Sequence, residues 1–228
     1  MSDLQIDWSK LYAARNTVSR AFPSIWRIPV IKKEMDRLSR HSRPGAALLE
    51  VGAGDRRFER KIKAVCPDVS YQSFDIDRST RQDYYDIDDI EGRHDLVYAF
   101  EVIEHLTPAQ GVEMLRKLKR NLAPGGTLLL GTPNLYHPHR YFGDLTHVTP
   151  YKYEELGALL VVAGYRVEGF YRIFNDSFVR RALRLHFGVW LHRWLSIDFA
   201  HTVLVEAKVA PEAEDAGPPP TMAGSDGR

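Results

Sequence analysis

The feature that most limits the fold is a change of texture at residue 46. From there, short apolar runs bounded by turn residues alternate with amphipathic stretches. The runs at 46–51, 70–74, 84–87, 96–100 and 127–130 read as strands, and helices are expected near 55–65 and 108–121 between some of them. Apolar strands separated by helical stretches belong in a mostly parallel sheet with helices on both faces, so an α/β fold is expected. The helix at 108–121 carries its own punctuation. Thr107 caps its start, Pro108 takes the first helical position, Leu115, Leu118 and Leu122 form a stripe, and Pro124-Gly125-Gly126 stops it. A helix over 151–163, a strand over 165–174 and an alternating final strand over 202–209 complete the pattern. One connection is short. About nine residues separate the strand ending at Phe74 from the one beginning near Tyr84, fewer than the dozen or so that a helical crossover requires. That crossover helix is expected to be missing, with the N-terminal helices covering its face.

A length of 228 residues fits one full domain with a helical appendage. Residues 1–45 hold nine Lys/Arg against four Asp/Glu, with Ile31, Met35 and Leu38 at helical spacing, and are expected to form a helical cap on a domain over 46–209. Residues 210–228, with Pro218-Pro219-Pro220 and three glycines, read as a disordered tail. With 31 Lys+Arg and 30 Asp+Glu the net charge is +1, which excludes a uniformly basic nucleic-acid coat. The balance is a cancellation between segments. Residues 75–91 hold seven acids against two arginines, whereas 1–45 carry +5 and 172–193 carry +4. The single cysteine, Cys66, leaves no disulfide framework and no cysteine-based zinc cluster. The longest apolar stretch, 156–165, is half of the ~20 residues that a membrane span requires, and Asp3 and Asp7 stand where a secretory signal would be basic and then apolar. A soluble cytoplasmic protein is expected.

The first of these strands runs into Glu50-Val51-Gly52-Ala53-Gly54-Asp55 ahead of a helix. Glycines at such a turn remove the Cβ atoms that would hold a ligand off the backbone, and the helix start offers free N–H groups. Asp75 ends the second strand, 21 residues after Gly54, where a carboxylate can accept both hydroxyls of a ribose. A dinucleotide turn G-x-G-x-x-G would need glycine at position 57, which is Arg57. A ligand with adenosine but no pyrophosphate fits better.

Five motifs occur together: Glu50-Val51-Gly52-Ala53-Gly54, Phe74-Asp75-Ile76-Asp77, Glu101-Val102-Ile103-Glu104-His105-Leu106, Leu122-Ala123-Pro124-Gly125-Gly126 and Gly131-Thr132-Pro133-Asn134. In order and spacing they resemble class I S-adenosylmethionine-dependent methyltransferases over roughly residues 45–170. The resemblance implies a Rossmann-like seven-stranded sheet with its last strand antiparallel, and S-adenosyl-L-methionine across the carboxyl ends of the strands. It also implies that Glu50, Gly52 and Gly54 lie along the methionine and ribose, and that Asp75 holds the ribose hydroxyls. One of Asp86 or Asp88 would approach the adenine amine, and Phe100 with Glu101 would border the methionine. Arg56 replaces the third glycine of the family pattern.

Glu101, Glu104 and His105 stand at i, i+3 and i+4, so a helical turn there would project all three to one side. His139 and His147 follow in the loop after the fifth strand, which faces the same sheet edge. Glu101, Glu104, His105 and His147 are a ligand set for Mg²⁺ or Mn²⁺ if hydrated and for Zn²⁺ if tetrahedral. The run is similar to that of small-RNA 2′-O-methyltransferases, which use it for a metal, and of ubiquinone-pathway O-methyltransferases. Without a metal, the same groups line an acceptor pocket. His105 and His147 are the candidates to take a proton from a hydroxyl acceptor. Asp144-Leu145-Thr146-His147 with Pro150 is also similar to bacterial methyltransferases of sugars and polysaccharide ends. A small hydroxylated, glycosidic or lipid-linked acceptor is therefore expected. Nucleic acid is disfavoured, because no basic stripe with stacking aromatics is evident. The rivals are a metal-dependent RNA 2′-O-methyltransferase and a non-catalytic binding protein that keeps the cofactor fold. Residues 176–196, apolar and arginine-rich, read either as a helix packed on the sheet or on a second subunit, or as a cap or peripheral membrane contact.

Overall fold

A computed structural model describes residues 7–137 and 139–211. The expected tail lies, apart from its first two residues, outside the described residues. The elements are α1 (Trp8–Ala21), β1 (Val30–Ile31), α2 (Met35–His41), β2 (Ala47–Val51), α3 (Arg57–Val65), β3 (Ser70–Phe74) and β4 (His94–Phe100). There follow α4 (Pro108–Arg120), β5 (Leu122–Pro133), α5 (Tyr153–Val162), β6 (Tyr165–Ile173), α6 (Phe178–Ala182), α7 (Val189–Trp194) and β7 (Thr202–Val209). Seven strands form one sheet in the order β1-β6-β7-β5-β4-β2-β3. Only β7 runs antiparallel to its neighbours, β5 and β6. The α/β fold and its antiparallel last strand are therefore as expected.

Strand alternation divides the core into two layers. Leu49, Val51, Val97, Ala99, Leu128 and Leu130 face α1, α4 and α5, whereas Leu48, Leu96, Tyr98 and Leu129 face α2 and α3 through Leu38, Phe58 and Ile62. A full capping box opens α4: the Thr107 hydroxyl accepts from the Gln110 N–H, and the Gln110 side chain accepts from the Thr107 N–H. Val18 of α1 lies against Gly157 of α5 so closely that a Cβ there would meet Val18 Cγ1 at 2.8 Å.

Three details depart from expectation. The strand expected over 84–87 is reduced to a single parallel bridge between Phe74 and Tyr84. Asp86 instead caps a 3₁₀ turn over Ile87–Asp89 by accepting the Asp88 N–H at 2.9 Å, a local bond that competes with the ladder. The seventh strand is β1, two residues from the segment read as wholly helical, parallel to Arg172 and Ile173 of β6. Finally, the N-terminal helices do not cover the 74–84 connection. α1 packs on α5, because Ala14 and Val18 are buried there and α5 is apolar from Leu156 to Val162. α2 docks on the opposite face through the buried Arg37–Glu206 ion pair and the His41–Glu206 contact at 3.2 Å.

Candidate active site

The carboxyl ends of β2, β3 and β4 open into a cleft of about 420 Å³. Gly52, Phe74, Asp75, Ile76 and Ile87 form one wall, Glu101, Val102 and His105 another, and Gln110, Met114 and Lys117 project from one face of α4. Roomier hollows exist: three of about 570–590 Å³ lie along α1 and one of about 440 Å³ lies by Arg120 and Asn121, and none holds residues of the five motifs. Size alone does not select the site; chemistry does.

The cofactor-side wall is made by backbone. Gly52 and Gly54 have φ of +72° and +49°. A Cβ on Gly52 would stand 2.3 Å from Val102 Cγ2, so the chain can pass here only as glycine. Asp75 holds the turn by accepting the Gly54 N–H at 2.8 Å and the Asp77 N–H at 3.0 Å. Gln82, distant in sequence, donates to the Gly54 carbonyl at 2.8 Å. Arg56, in place of the third glycine, adopts φ +56° and pairs with Glu59 at 2.9 Å. Glu50 does not border the cleft. It is buried toward α3, where its carboxylate accepts from Tyr71 at 2.5 Å and Tyr98 at 3.1 Å. Burial pushes its carboxyl up to about 7 against the pull of those phenols. Phe100 likewise turns to the α3 side, edge-on to Phe58 at 5.3 Å. Asp86 is occupied with its own turn, and Asp88 with Lys117 at 2.5 Å and Arg120 at 3.0 Å.

On the other wall, the expected single turn carrying all three acidic and histidine groups does not form. Glu101 precedes it at φ +57°, and its carboxylate accepts from Thr202 at 3.0 Å and faces Arg140 at 3.6 Å. Glu104 and His105 lie within a 3₁₀ turn, Ile103–His105. Glu104 is fully buried. One carboxylate oxygen, Oε2, accepts from Thr132 at 3.1 Å, and Oε1 has no hydrogen-bond partner among the described residues. Burial, and then the charge on Glu101, push its carboxyl up to about 8. The loop after β5 brings His147 to it, with Nε2 3.9 Å from Oε1, because the Val148 and Thr149 N–H groups donate to the Glu104 carbonyl at 2.7 and 3.0 Å.

The histidines are oriented alike. Nδ1 of His147 lies 2.7 Å from the Tyr141 carbonyl, and Nδ1 of His105 3.2 Å from the Thr146 carbonyl. A carbonyl only accepts, and the Thr146 hydroxyl beside His105 donates to Asp144, so both Nδ1 atoms donate, which in the neutral ring leaves the lone pair on Nε2. The rings sit 4.9 Å apart. Ligand atoms of Glu104, His105 and His147 lie within 4.8 Å of one another, and Glu101 is outside that group. Two nitrogen or oxygen ligands on a tetrahedral zinc ion are about 3.4 Å apart, so these groups fit a cation in chemistry and would have to close by about 1 Å to hold it. His139 is exposed. Thr132, Thr202, Tyr141 and Gln82 were not evident as partners in the sequence; only Thr132 sits in a motif, Gly131-Thr132-Pro133-Asn134.

The model of a family described as a methyltransferase domain matches residues 25–184. No curated protein matches the sequence. Among solved structures, a SAM-dependent methyltransferase from Archaeoglobus fulgidus superposes with a TM-score of 0.60 at 16% identity, covering 89% of this chain and 100% of that one. The N-methyltransferase NodS from Bradyrhizobium japonicum gives 0.52 at 16% identity over 78% of this chain and 93% of that one. An O-methyltransferase of neocarzinostatin biosynthesis, solved with S-adenosyl-L-homocysteine and 1,4-dihydroxy-2-naphthoic acid, gives 0.54 at 16% identity over 91% of this chain and 59% of its own length. At these identities the structures speak for the fold, and the family model, which spans well over half the chain, speaks for the family. The chain belongs to the methyltransferase-domain family and has the fold of S-adenosylmethionine-dependent methyltransferases.

Proposed function

We propose that the chain methylates a hydroxyl oxygen of a small hydroxylated, glycosidic or lipid-linked acceptor. The observation that carries this reading is the pair of Nε2 lone pairs on His105 and His147 beside the buried, half-satisfied Glu104. An unprotonated amine attacks a methyl sulfonium with a lone pair it already has, whereas a hydroxyl must shed a proton as it attacks, and such a base serves that reaction. In the reaction, the acceptor oxygen forms a bond to the methyl carbon. The carbon–sulfur bond breaks with its electron pair on sulfur, leaving S-adenosylhomocysteine, and the hydroxyl proton passes to Nε2 of His105, which lines the cleft. His147 and Glu104 stand behind it as positioning groups. In-line displacement draws most of its acceleration from holding the acceptor atom near the methyl carbon. Gly52, Gly54 and Asp75 would form the cofactor wall, with Glu50 beneath it. The neocarzinostatin enzyme, which carries a dihydroxynaphthoic acid, is the kind of acceptor complex this reading resembles.

A second reading has one observation in its favour. The unpartnered Oε1 of Glu104 and the two Nε2 atoms are the donors a divalent cation takes. Glu104, His105 and His147 would hold it, and it would lower the pKa of the acceptor hydroxyl. Methyl-labelled S-adenosylmethionine offered with phenols, sugars and lipid-linked sugars tests both. Label recovered on oxygen supports the first, label on nitrogen or carbon sinks it, and turnover that survives thorough EDTA stripping removes the cation.

A further inference from the structure

The link from β6 to β7 leaves and rejoins the sheet at its carboxyl edge, the edge on which the cleft opens. It consists of α6, a π-helical turn over Leu183–Phe187, and α7. Val179, Leu183, Phe187, Trp190 and Trp194 recur at spacings of three and four residues, with Phe178 beside the first of them, so they form one stripe. The stripe faces out: Phe187, Trp190 and Trp194 are 78%, 77% and 80% exposed. Helices that pack on a sheet bury such residues; here the buried side is small, and the stripe has no cover among the described residues.

The segment is held to the site and is not a loose tail. The Arg184 guanidinium stacks over Phe199 at 4.3 Å, and His192 lies 4.5 Å from the same ring. Phe199 in turn meets His137 in the loop that carries His147. The Ile197 N–H donates to the His192 carbonyl at 2.9 Å, and Trp26 donates to the Ile197 carbonyl at 3.3 Å.

Charge decides what covers the stripe. Residues 176–196 hold four arginines against one acid, Asp176. Asp176 is engaged by Arg184 at 2.6 Å and Arg180 at 3.9 Å, and Arg181 and Arg193 have no ion pair among the described residues. A second copy docking this face on itself about a two-fold axis would press those arginines together. A bilayer with anionic headgroups complements both features. Tryptophan and phenylalanine settle at the level of the headgroups, and arginines reach the phosphates from the edge of the apolar stripe. No described helix is long and apolar enough to cross a membrane, so the contact would lie in the interface plane.

We propose that residues 178–195 dock the protein on an anionic membrane surface with the mouth of the cleft at the headgroups. The inference rests on the methyltransferase reading for one point only, that the membrane would then supply an acceptor carried on a lipid. The test is flotation of the full chain with vesicles of phosphatidylcholine alone and of phosphatidylcholine with phosphatidylglycerol. Binding to the second kind is expected, weakening as salt rises. The double variants Trp190→Ser/Trp194→Ser and Arg181→Ser/Arg193→Ser should each reduce it about tenfold or more. No binding to anionic vesicles, or undiminished binding by either double variant, overturns the proposal. So does a dimer at sedimentation equilibrium that the tryptophan variant dissolves. Affinity for S-adenosylhomocysteine, measured in the same preparations, should be unchanged in both variants; failure of the parent chain to bind it would break the methyltransferase reading and leave the vesicle result standing.

Discussion

On the cofactor side of the cleft the ligand-facing groups belong to one strand–turn–helix and the strand beside it, with Gly52 and Gly54 at positive φ and Asp75 accepting the Gly54 N–H. The acceptor side is assembled from distant segments: Thr202 donates to Glu101 across 101 residues, and Thr146 meets His105 across 41. The first wall is set by backbone conformation, the second by side chains that tertiary packing brings together. A wall of the first kind breaks when its backbone is disturbed. A wall of the second kind loses chemistry while its frame survives. Substitutions on the two walls should therefore separate binding from turnover.

The largest effect is expected on the acceptor side. His147→Ala removes the positioning ring that is nearly buried against Glu104 and beside His105, and turnover should fall by about a hundredfold or more. Affinity for S-adenosylhomocysteine should stay within a few-fold of the parent, because His147 does not line the cofactor wall. Isothermal titration with single-turnover kinetics checks both, and an equal loss of affinity and turnover would mean that the two walls are one unit.

The frame behind the acceptor wall is a buried network. Arg172 pairs with Asp198 at 3.0 Å and donates to the Ile28 carbonyl at 3.0 Å, while the other Asp198 oxygen accepts from Asn134 at 2.9 Å. Asp198→Ala leaves a buried guanidinium without its partner. A loss of about 3–5 kcal/mol in urea unfolding is expected, comparable to that on breaking other buried pairs. If the loss is below about 1 kcal/mol, the acceptor wall does not depend on this network.

The contrast also explains what could be read from the sequence. The glycine turn, Asp75 and the capped α4 are local: each needs only its neighbours in the chain, and each lies where expected. Glu101 was expected on a shared turn, but φ +57° sends it to Thr202 and Arg140, partners that spacing does not reveal. β1 is two residues long and exists because β6 offers an edge. The 84–87 run has strand composition, yet Asp86 finds a nearer partner in its own turn. In each case a long-range partner, or a competing short-range one, overrode local preference.

On the cofactor side, Gly52→Ala sets a methyl 2.3 Å from Val102 Cγ2 at φ +72°. Affinity for S-adenosylhomocysteine should drop at least about a hundredfold. Gly54→Ala meets nothing within 4 Å and bears only the strain of φ +49°, so its loss should be smaller, about tenfold or less. Equal losses would show that the close approach to Val102 is not what shapes the wall.

Glu50 sharpens the comparison, because it belongs to the cofactor motif but turns its carboxylate to Tyr71 and Tyr98. In the unfolded chain this group ionises near the ordinary glutamate value of 4.5; burial in the fold holds its proton up to about 7. Between those values the folded protein binds the extra proton, so stability falls as pH rises, and the loss is complete above the folded pKa. Each tenfold gain in proton affinity is worth about 1.36 kcal/mol, so the whole effect is no more than about 3.5 kcal/mol. Glu50→Gln keeps an oxygen for both phenols and carries no charge. It should match the parent near about pH 5 and exceed it in urea unfolding near about pH 8. Its affinity for S-adenosylhomocysteine should stay within about threefold of the parent. A flat parent profile would show that the carboxylate is not desolvated, and a large affinity loss would return Glu50 to the cofactor wall, leaving backbone and side chain to share that side as they do the other.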